Sequence, residues 1–594
     1  MKLNNLGSTK NNCSIKKLVN FQCNNLNNLT LLKTALINFY IIICLVALNN
    51  QSFAVTVESN IPKIEDFSPL ENTLPEENAP KIGEPEEEIN STSENLKFTV
   101  TKFNFIGNTV LTDDQLVDLT QNFLNKEYNF TELQEILRFI STFYRNLGLW
   151  ARAILPEQDI VDGILTIQIV EGKLGKVIIQ TDEEILNLDR EVARKYIQNR
   201  ISKTQILNIN QLEKNIQTLS RVPGIIAVAT LEPGAAVGET DILVRLENTK
   251  QISGTFQADN FGSRSSGNDR GTLIVNADSF MKKGEQFTLQ QVQTDGSEYT
   301  ALANSFRIGY DGMRGTVKAT KIRYDLDEPF ESSNPTGNSQ ELSLDINKPL
   351  NPFGKINLVS NFTLSESDYE NKTNAPTNVQ KKITRAIAKL DFNRNDQFFK
   401  GGVNYGSIIF TAGDLKDSSS TSQNNGALGE FSKFNLNFSR FQRLSDQKVL
   451  QINLSSQYAL KNLDSAEKFS LGGPYGIRAY PNSEGQGDHG IMANVELKHG
   501  FSEKVEGKLF YDWGKIQQHQ NTYTDWDSDK PGKKNIYELR GMGVGLDWNI
   551  NEKTKVNWIF STTLGDNEGE DSNGLDNDGL TRDKRALLSF TTSF

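Results

Sequence analysis

Residues able to do covalent or metal chemistry are scarce in this sequence. Cysteine occurs only at Cys13, Cys23 and Cys44, and histidine only at His489, His499 and His519. All three thiols precede residue 54, so a thiolate metal site or cysteine nucleophile further along is excluded, and so few imidazoles disfavour a zinc enzyme. Neither a GxxxxGK[ST] phosphate loop nor a G-x-S-x-G nucleophile elbow occurs, which removes the expectation of nucleotide hydrolysis and of serine acyl transfer. No catalytic residue, metal ligand or cofactor is assigned, and the chain reads as a non-enzyme. What remains is one guanidinium in an unusual setting: Arg478, inside LGGPYGIRAYPNSEGQGDHG, Leu471 to Gly490. Two prolines and many glycines rule out a regular helix or a central strand there. The glycines at 472, 473, 476, 485, 487 and 490 allow the tight turns of a loop folded back on itself. A second stretch, GDNEGEDSNGLDNDGL, suggests calcium through Asp566, Asp571, Asp576 and Asp578. It lacks the spacing of an EF-hand, so a loop kept soluble by charge is the preferred reading.

The elements that position such a loop follow from composition and periodicity. At 594 residues, with a net charge of -11, the chain has room for two or more domains. It has no concentrated basic stripe, which disfavours nucleic acid as a partner. Only 37% of residues are hydrophobic and no apolar run reaches the roughly 20 residues of a membrane-spanning helix. The longest, Ala35 to Leu48, follows several lysines and precedes the small-x-small pattern Ser52-Phe53-Ala54. Residues 1–54 therefore read as a secretory signal peptide, with a single membrane anchor as the alternative. Residues 55–95, rich in proline and glutamate, read as a disordered acidic linker.

Two similar modules follow. Residues 96–174 predict the order βααββ: a strand in FTVTKFNFIGN, a helix near Asp113 to Phe123, a second helix ending at Gly148, and strands at 151–155 and 164–170. In the second helix Thr131 and Gln134 are spaced as a capping box, and Leu133, Ile136, Leu137, Ile140, Tyr144 and Leu147 recur at helical spacing. Residues 175–249 repeat the order, with helices at 189–200 and 210–221 and Pro223-Gly224 as a stop.

From residue 250 to 594 helical periodicity disappears. About 16 segments alternate apolar and polar residues, one per roughly 21 positions, with Trp548, Trp558, Phe560, Phe590 and Phe594 on apolar faces. In Val505 to Trp513 the residues Val505, Leu509, Tyr511 and Trp513 share one face. Glu506, Lys508 and Asp512 share the other, with Phe510 as its lone apolar member. Even count, spacing and aromatic placement predict a 16-stranded antiparallel transmembrane β-barrel, because an open sheet edge in lipid would leave backbone groups without partners. The fold class is thus mainly β: a barrel preceded by two βααββ modules. The chain ends in the alternating strand LLSFTTSF.

These residues resemble the TpsB transporters of two-partner secretion, the haemolysin-activator-like branch of outer-membrane barrels preceded by POTRA domains. The likeness rests on Gly107-Asn108, on LPEQDIVDGILTIQIVEG, on RVPGIIAVATLEPGAAVGETDILVRLE and on the glycine-rich stretch above. It implies that 96–174 and 175–249 are POTRA 1 and POTRA 2, and that Phe594 is the terminal signal read by the barrel assembly machinery. It further implies that Gly476, Ile477, Arg478, Ala479 and Tyr480 form the motif of a long lumen loop, loop 6. The family's F-x-D-x-G partner motif is matched by Phe510, Asp512 and Gly514, with Arg478 pairing to Asp512. Half of an ~18-residue loop spans ~30 Å when extended, enough to carry Arg478 into a barrel. A guanidinium then grips a carboxylate through two parallel hydrogen bonds.

The function implied is secretion of a large unfolded exoprotein, a TpsA-like adhesin or haemolysin. The protein would sit in the outer membrane lipid with its POTRA domains in the periplasm, capturing the cargo by strand addition and using no nucleotide. The alternatives are a barrel assembly factor, which resembles this branch, and a passive porin or an outer-membrane enzyme, either of which leaves the two modules unexplained. The family often carries an amino-terminal plug helix, which the proline content of residues 55–95 opposes.

Overall fold

The computed structural model describes residues 97–594, apart from 329–334, 352–355, 375–378, 418–423 and 529. The expected signal peptide, the acidic linker and any plug helix fall outside the described residues.

The run FTVTKFNFIGN forms two strands, Phe98–Val100 and Lys102–Ile106, because the Thr101 N–H turns away to the Gly163 carbonyl. The first pairs with a short strand, Lys126–Tyr128, that periodicity did not reveal. Helix α1, Asp113–Thr120, is capped reciprocally by Thr112 and Gln115. Helix α2, Phe130–Asn146, is capped by Asn129 with Glu132, not by Thr131 with Gln134. Both pairs have capping-box spacing. The earlier one is used because asparagine caps at least as well as threonine and the longer helix gains further backbone bonds. Leu133, Ile136, Ile140 and Tyr144 are buried as expected, whereas Leu147, beyond the last turn, is exposed. Gly148 ends the helix at φ +77°.

The module's sheet places Ile164–Glu171 in the centre, parallel to Lys102–Ile106 and antiparallel to Ala151–Ile154. The parallel pair needs a crossover, which the helices supply, and Phe103, Leu116, Ile140, Tyr144 and Ile167 fill the space between. The second module has the same plan. Its central strand, Glu239–Asn248, runs parallel to Lys173–Gln180 and antiparallel to Ile225–Pro233. Helices α3, Arg190–Ile197, and α4, Ile209–Ser220, cover it, burying Tyr196, Leu212, Ile216 and Leu219.

Sixteen antiparallel strands then close into a barrel, with Ile252–Asp259 pairing to Lys584–Ser593. Burial along the wall is inverted relative to a soluble protein. Leu342, Leu344, Phe362, Leu364, Phe410, Val544, Trp558 and Phe560 are exposed, while Ser343, Ser365, Ser367, Thr411, Asn494, Glu496 and Asp512 are buried. The apolar side faces outward and the polar side lines the interior, the arrangement that lipid demands. Among the described residues no helix is long and apolar enough to cross a membrane.

The second module seats against short barrel turns. The Asp189 N–H donates to the Lys282 carbonyl at 2.9 Å, and the Asn199 side chain donates to the Tyr310 carbonyl at 3.1 Å. The rings of Tyr196 and Tyr310 meet edge to face, 5.3 Å apart.

Candidate functional site

The loop carrying Arg478 connects the barrel strands Lys448–Ala459 and His489–Gly500. It turns inward and knots on itself. The Ile477 N–H donates to the Leu471 carbonyl at 2.7 Å, the Tyr480 N–H to Ile477 at 3.0 Å, and the Gly473 N–H to Tyr480 at 3.2 Å. Gly473 has φ +114°, a conformation that β-carbon sterics deny other residues. Leu471, Ile477, Ala479 and Tyr480 pack against Met492, Ile516, Tyr537 and Leu539, which project inward from three neighbouring strands. This apolar seat sets the height at which Arg478 meets the wall.

Arg478 Nε and Nη2 donate to the two oxygens of Asp512 at 3.0 and 2.8 Å, forming the parallel fork. The Arg478 backbone N–H donates to the same carboxylate at 3.1 Å. Nη1 donates to Glu496 at 2.7 Å, so one guanidinium faces two carboxylates. Asn494 ties the parts together, donating to Asp512 at 2.9 Å and to the Gly476 carbonyl at 3.0 Å. Ser561 donates to the Arg478 carbonyl at 2.8 Å from the far side. Asp512 is completely buried, so its fourfold donor set is what offsets the loss of water.

The structure thus places Gly476, Ile477, Arg478, Ala479, Tyr480, Phe510, Asp512 and Gly514 in one cluster. Phe594 lies elsewhere, at the barrel seam, where its N–H donates to the Gly254 carbonyl at 3.0 Å. Glu496, Asn494 and Ser561 were missed. A signal existed for two of them: Asn494 and Glu496 alternate with Val495 and Leu497, which puts both on the wet face of their strand.

The acidic stretch 565–580 is not simply a solvated loop. It folds over the tip of the arginine loop: Asn567 donates to Glu484 at 3.0 Å and to Asp576 at 2.8 Å, and the Asn577 N–H donates to Glu484 at 2.7 Å. Arg585 pairs with Asp578 at 2.8 Å. Glu484 and Asp576 lie in loops beyond the spanning strands, and burial pushes their carboxyls above the usual carboxylate range. Among the described residues no cluster of His, Cys, Asp or Glu is placed to hold a metal ion.

The model of the family described as haemolysin secretion/activation protein ShlB/FhaC/HecB matches residues 238–548, more than half of the chain. The chain belongs to this family. A second model, the ShlB-type POTRA domain, matches residues 98–172. Among curated proteins the chain is similar to the heme/hemopexin transporter protein HuxB of Haemophilus influenzae, 27% identical over 76% of this chain and 81% of that protein. It is also similar to the outer membrane transporter CdiB of Dickeya dadantii, 24% identical over 78% of this chain and 83% of that one. Among solved structures, CdiB from Escherichia coli matches with a TM-score of 0.64 and 19% identity, over 86% of this chain and 93% of that one. BamA from Haemophilus ducreyi, lacking POTRA domains 1–3, matches with a TM-score of 0.53 at 14% identity, over 84% of this chain and all of that one, a likeness of fold alone. The TpsB resemblance therefore holds. The protein is an outer-membrane transporter whose POTRA region is periplasmic, and the secretion branch is favoured over the assembly factors.

Proposed function

We propose that this protein exports one partner exoprotein, unfolded, from the periplasm to the cell surface, and that the Arg478–Asp512 clasp holds the lumen loop as a movable plug. The observation carrying this reading is a buried, fully partnered guanidinium inside a closed barrel of this family. A loop meant only to fill space needs no such fork, and a buried ion pair adds little net stability over apolar packing. Its value lies in holding one geometry that is strongly disfavoured once either partner leaves.

The domain limits proposed are 1–54, 55–95, 96–174, 175–249 and 250–594. The second module, with its sheet order matching the first, is read as a second POTRA domain. The two modules offer sheet edges to an extended cargo, and folding of that cargo outside the cell biases its passage without nucleotide. Barrel biogenesis is assigned to the assembly machinery, reading Phe594.

The test has two parts. Deleting the gene should remove one secreted protein while leaving the other outer-membrane barrels at normal levels; broad loss of barrels supports an assembly role instead. Arg478→Ala should insert normally yet abolish export, and undiminished secretion by that variant refutes the plug.

A further inference from the structure

The same loop is seated a second time, nearer its root, with the charges reversed. Residues 465–467 form a short turn capped by Asp464, whose carboxylate accepts from the Ala466 N–H at 3.1 Å. Leu463 is buried beside Tyr369, Ile383 and Phe431 of the wall. The Glu467 carboxylate, 5% exposed, accepts from Arg385 and from Lys433, the latter at 2.8 Å. Lys433 and Gln457 also hold the Glu467 backbone carbonyl, at 2.8 and 3.0 Å. Arg385 is aimed in turn by Ser367 at 2.6 Å, Tyr369 at 2.9 Å and Glu341 at 3.2 Å. Lys381 adds an ion pair to Asp464 at 2.8 Å.

At 467 the loop supplies the anion and the wall the cations. At 478 the loop supplies the cation and the wall the anions. A loop shifted so that Glu467 reached the other seat would meet Asp512 and Glu496, and one shifted the opposite way so that Arg478 reached the root seat would meet Arg385 and Lys433. Like charges meeting in a buried site are strongly unfavourable, so opposite polarity specifies one register of the loop along the lumen. Glu467, like Arg478, is held through both its backbone and its side chain, so the root is a full second attachment of the loop to the wall.

We propose that Glu467 is a positioning residue for export, fixing the loop's root on Arg385 and Lys433 so that Arg478 arrives at Asp512. When the Arg478 clasp opens, the root seat stays engaged and acts as the pivot. The inference rests on the export reading above, but the labelling that decides it does not require the exported partner.

Since every cysteine lies before residue 54, single probes introduced as Ser483→Cys at the tip and Ser465→Cys at the root report loop position in the full-length barrel. They are read in intact cells with a thiol reagent that cannot cross the membrane. Arg478→Ala should raise labelling at the tip by at least about tenfold and leave the root unchanged, because losing one buried charge partner is strongly destabilising. Glu467→Gln should raise labelling at both probes and lower secretion about tenfold, with normal heat-modifiable migration of the barrel. Unchanged labelling at the root in Glu467→Gln overturns the proposal, whatever happens to secretion. If that variant fails to insert, Lys433→Gln leaves Arg385 in place and should give the same pattern at smaller amplitude. No change at the root in an inserted Lys433→Gln barrel likewise overturns it.

Discussion

The Arg478 guanidinium lies over the ring of Phe510, with its central carbon 3.4 Å from the ring centroid. Phe510 is the only apolar residue of its inward face before Asp512 in the strand Val505–Gln517, and the stack explains why an aromatic stands there. The ring blocks one side of the cation from water while its negative face attracts the charge.

Phe510→Leu should keep the barrel intact and weaken the clasp by about 1–2 kcal/mol, the scale of a desolvated cation–π contact. The expected outcome is a rise in spontaneous pore openings in planar bilayers, smaller than the rise in Asp512→Asn. Equal conductance traces for Phe510→Leu and the unmodified protein would show that the stack contributes nothing.

Gly514 has a steric role two residues further on. A β-carbon there would lie 2.5 Å from the Leu471 side chain and 3.0 Å from that of Ile477, so the loop could not seat. Gly514→Val should displace the loop while leaving Asp512 chemically unaltered. Protease sensitivity within 471–486 is predicted to rise, with the wall still resistant.

Phe594 extends the seam at which the barrel closes. Its backbone exchanges hydrogen bonds with Gly254 at 3.0 and 3.3 Å, and its ring occupies the space a Gly254 β-carbon would need. The register between the first and last strands is short, from Ser589↔Asp259 to Ser593↔Thr255. Deleting Phe594 should lower the fraction of chains that reach the heat-modifiable, closed form. A full yield of closed barrel would remove the assignment of Phe594 as a terminal signal.

Tyr144 in the first module is buried with its hydroxyl lacking a hydrogen-bond partner, and burial raises its pKa to about 12. In the unfolded chain the phenol ionises near pH 10. Between about pH 10 and 12 the folded state therefore holds the extra proton, so this contribution to stability is full below pH 10 and lost as pH rises towards 12. Alkaline unfolding of a 97–249 fragment, followed by circular dichroism, should shift to higher pH in Tyr144→Phe. At neutral pH the substitution should change stability by less than about 1 kcal/mol, because no hydrogen bond is removed.

Local patterning already determined a great deal. Period-2 alternation marked the barrel, its sixteen strands and the inward face bearing Asp512, because a strand's side chains alternate irrespective of its neighbours. Helical spacing marked the buried stripe of α2, since that stripe repeats within a few residues. The tertiary structure alone decided what converges on Arg478. Glu496, Asp512 and Ser561 stand 18, 34 and 83 positions away in sequence, and only barrel closure and the path of the loop through the lumen bring them together. The same holds for Glu467 with Arg385 and for the acidic stretch over Glu484. Such contacts depend on strand register and on which wall a folded-back loop reaches, quantities set by the whole closed sheet and by no short segment of it.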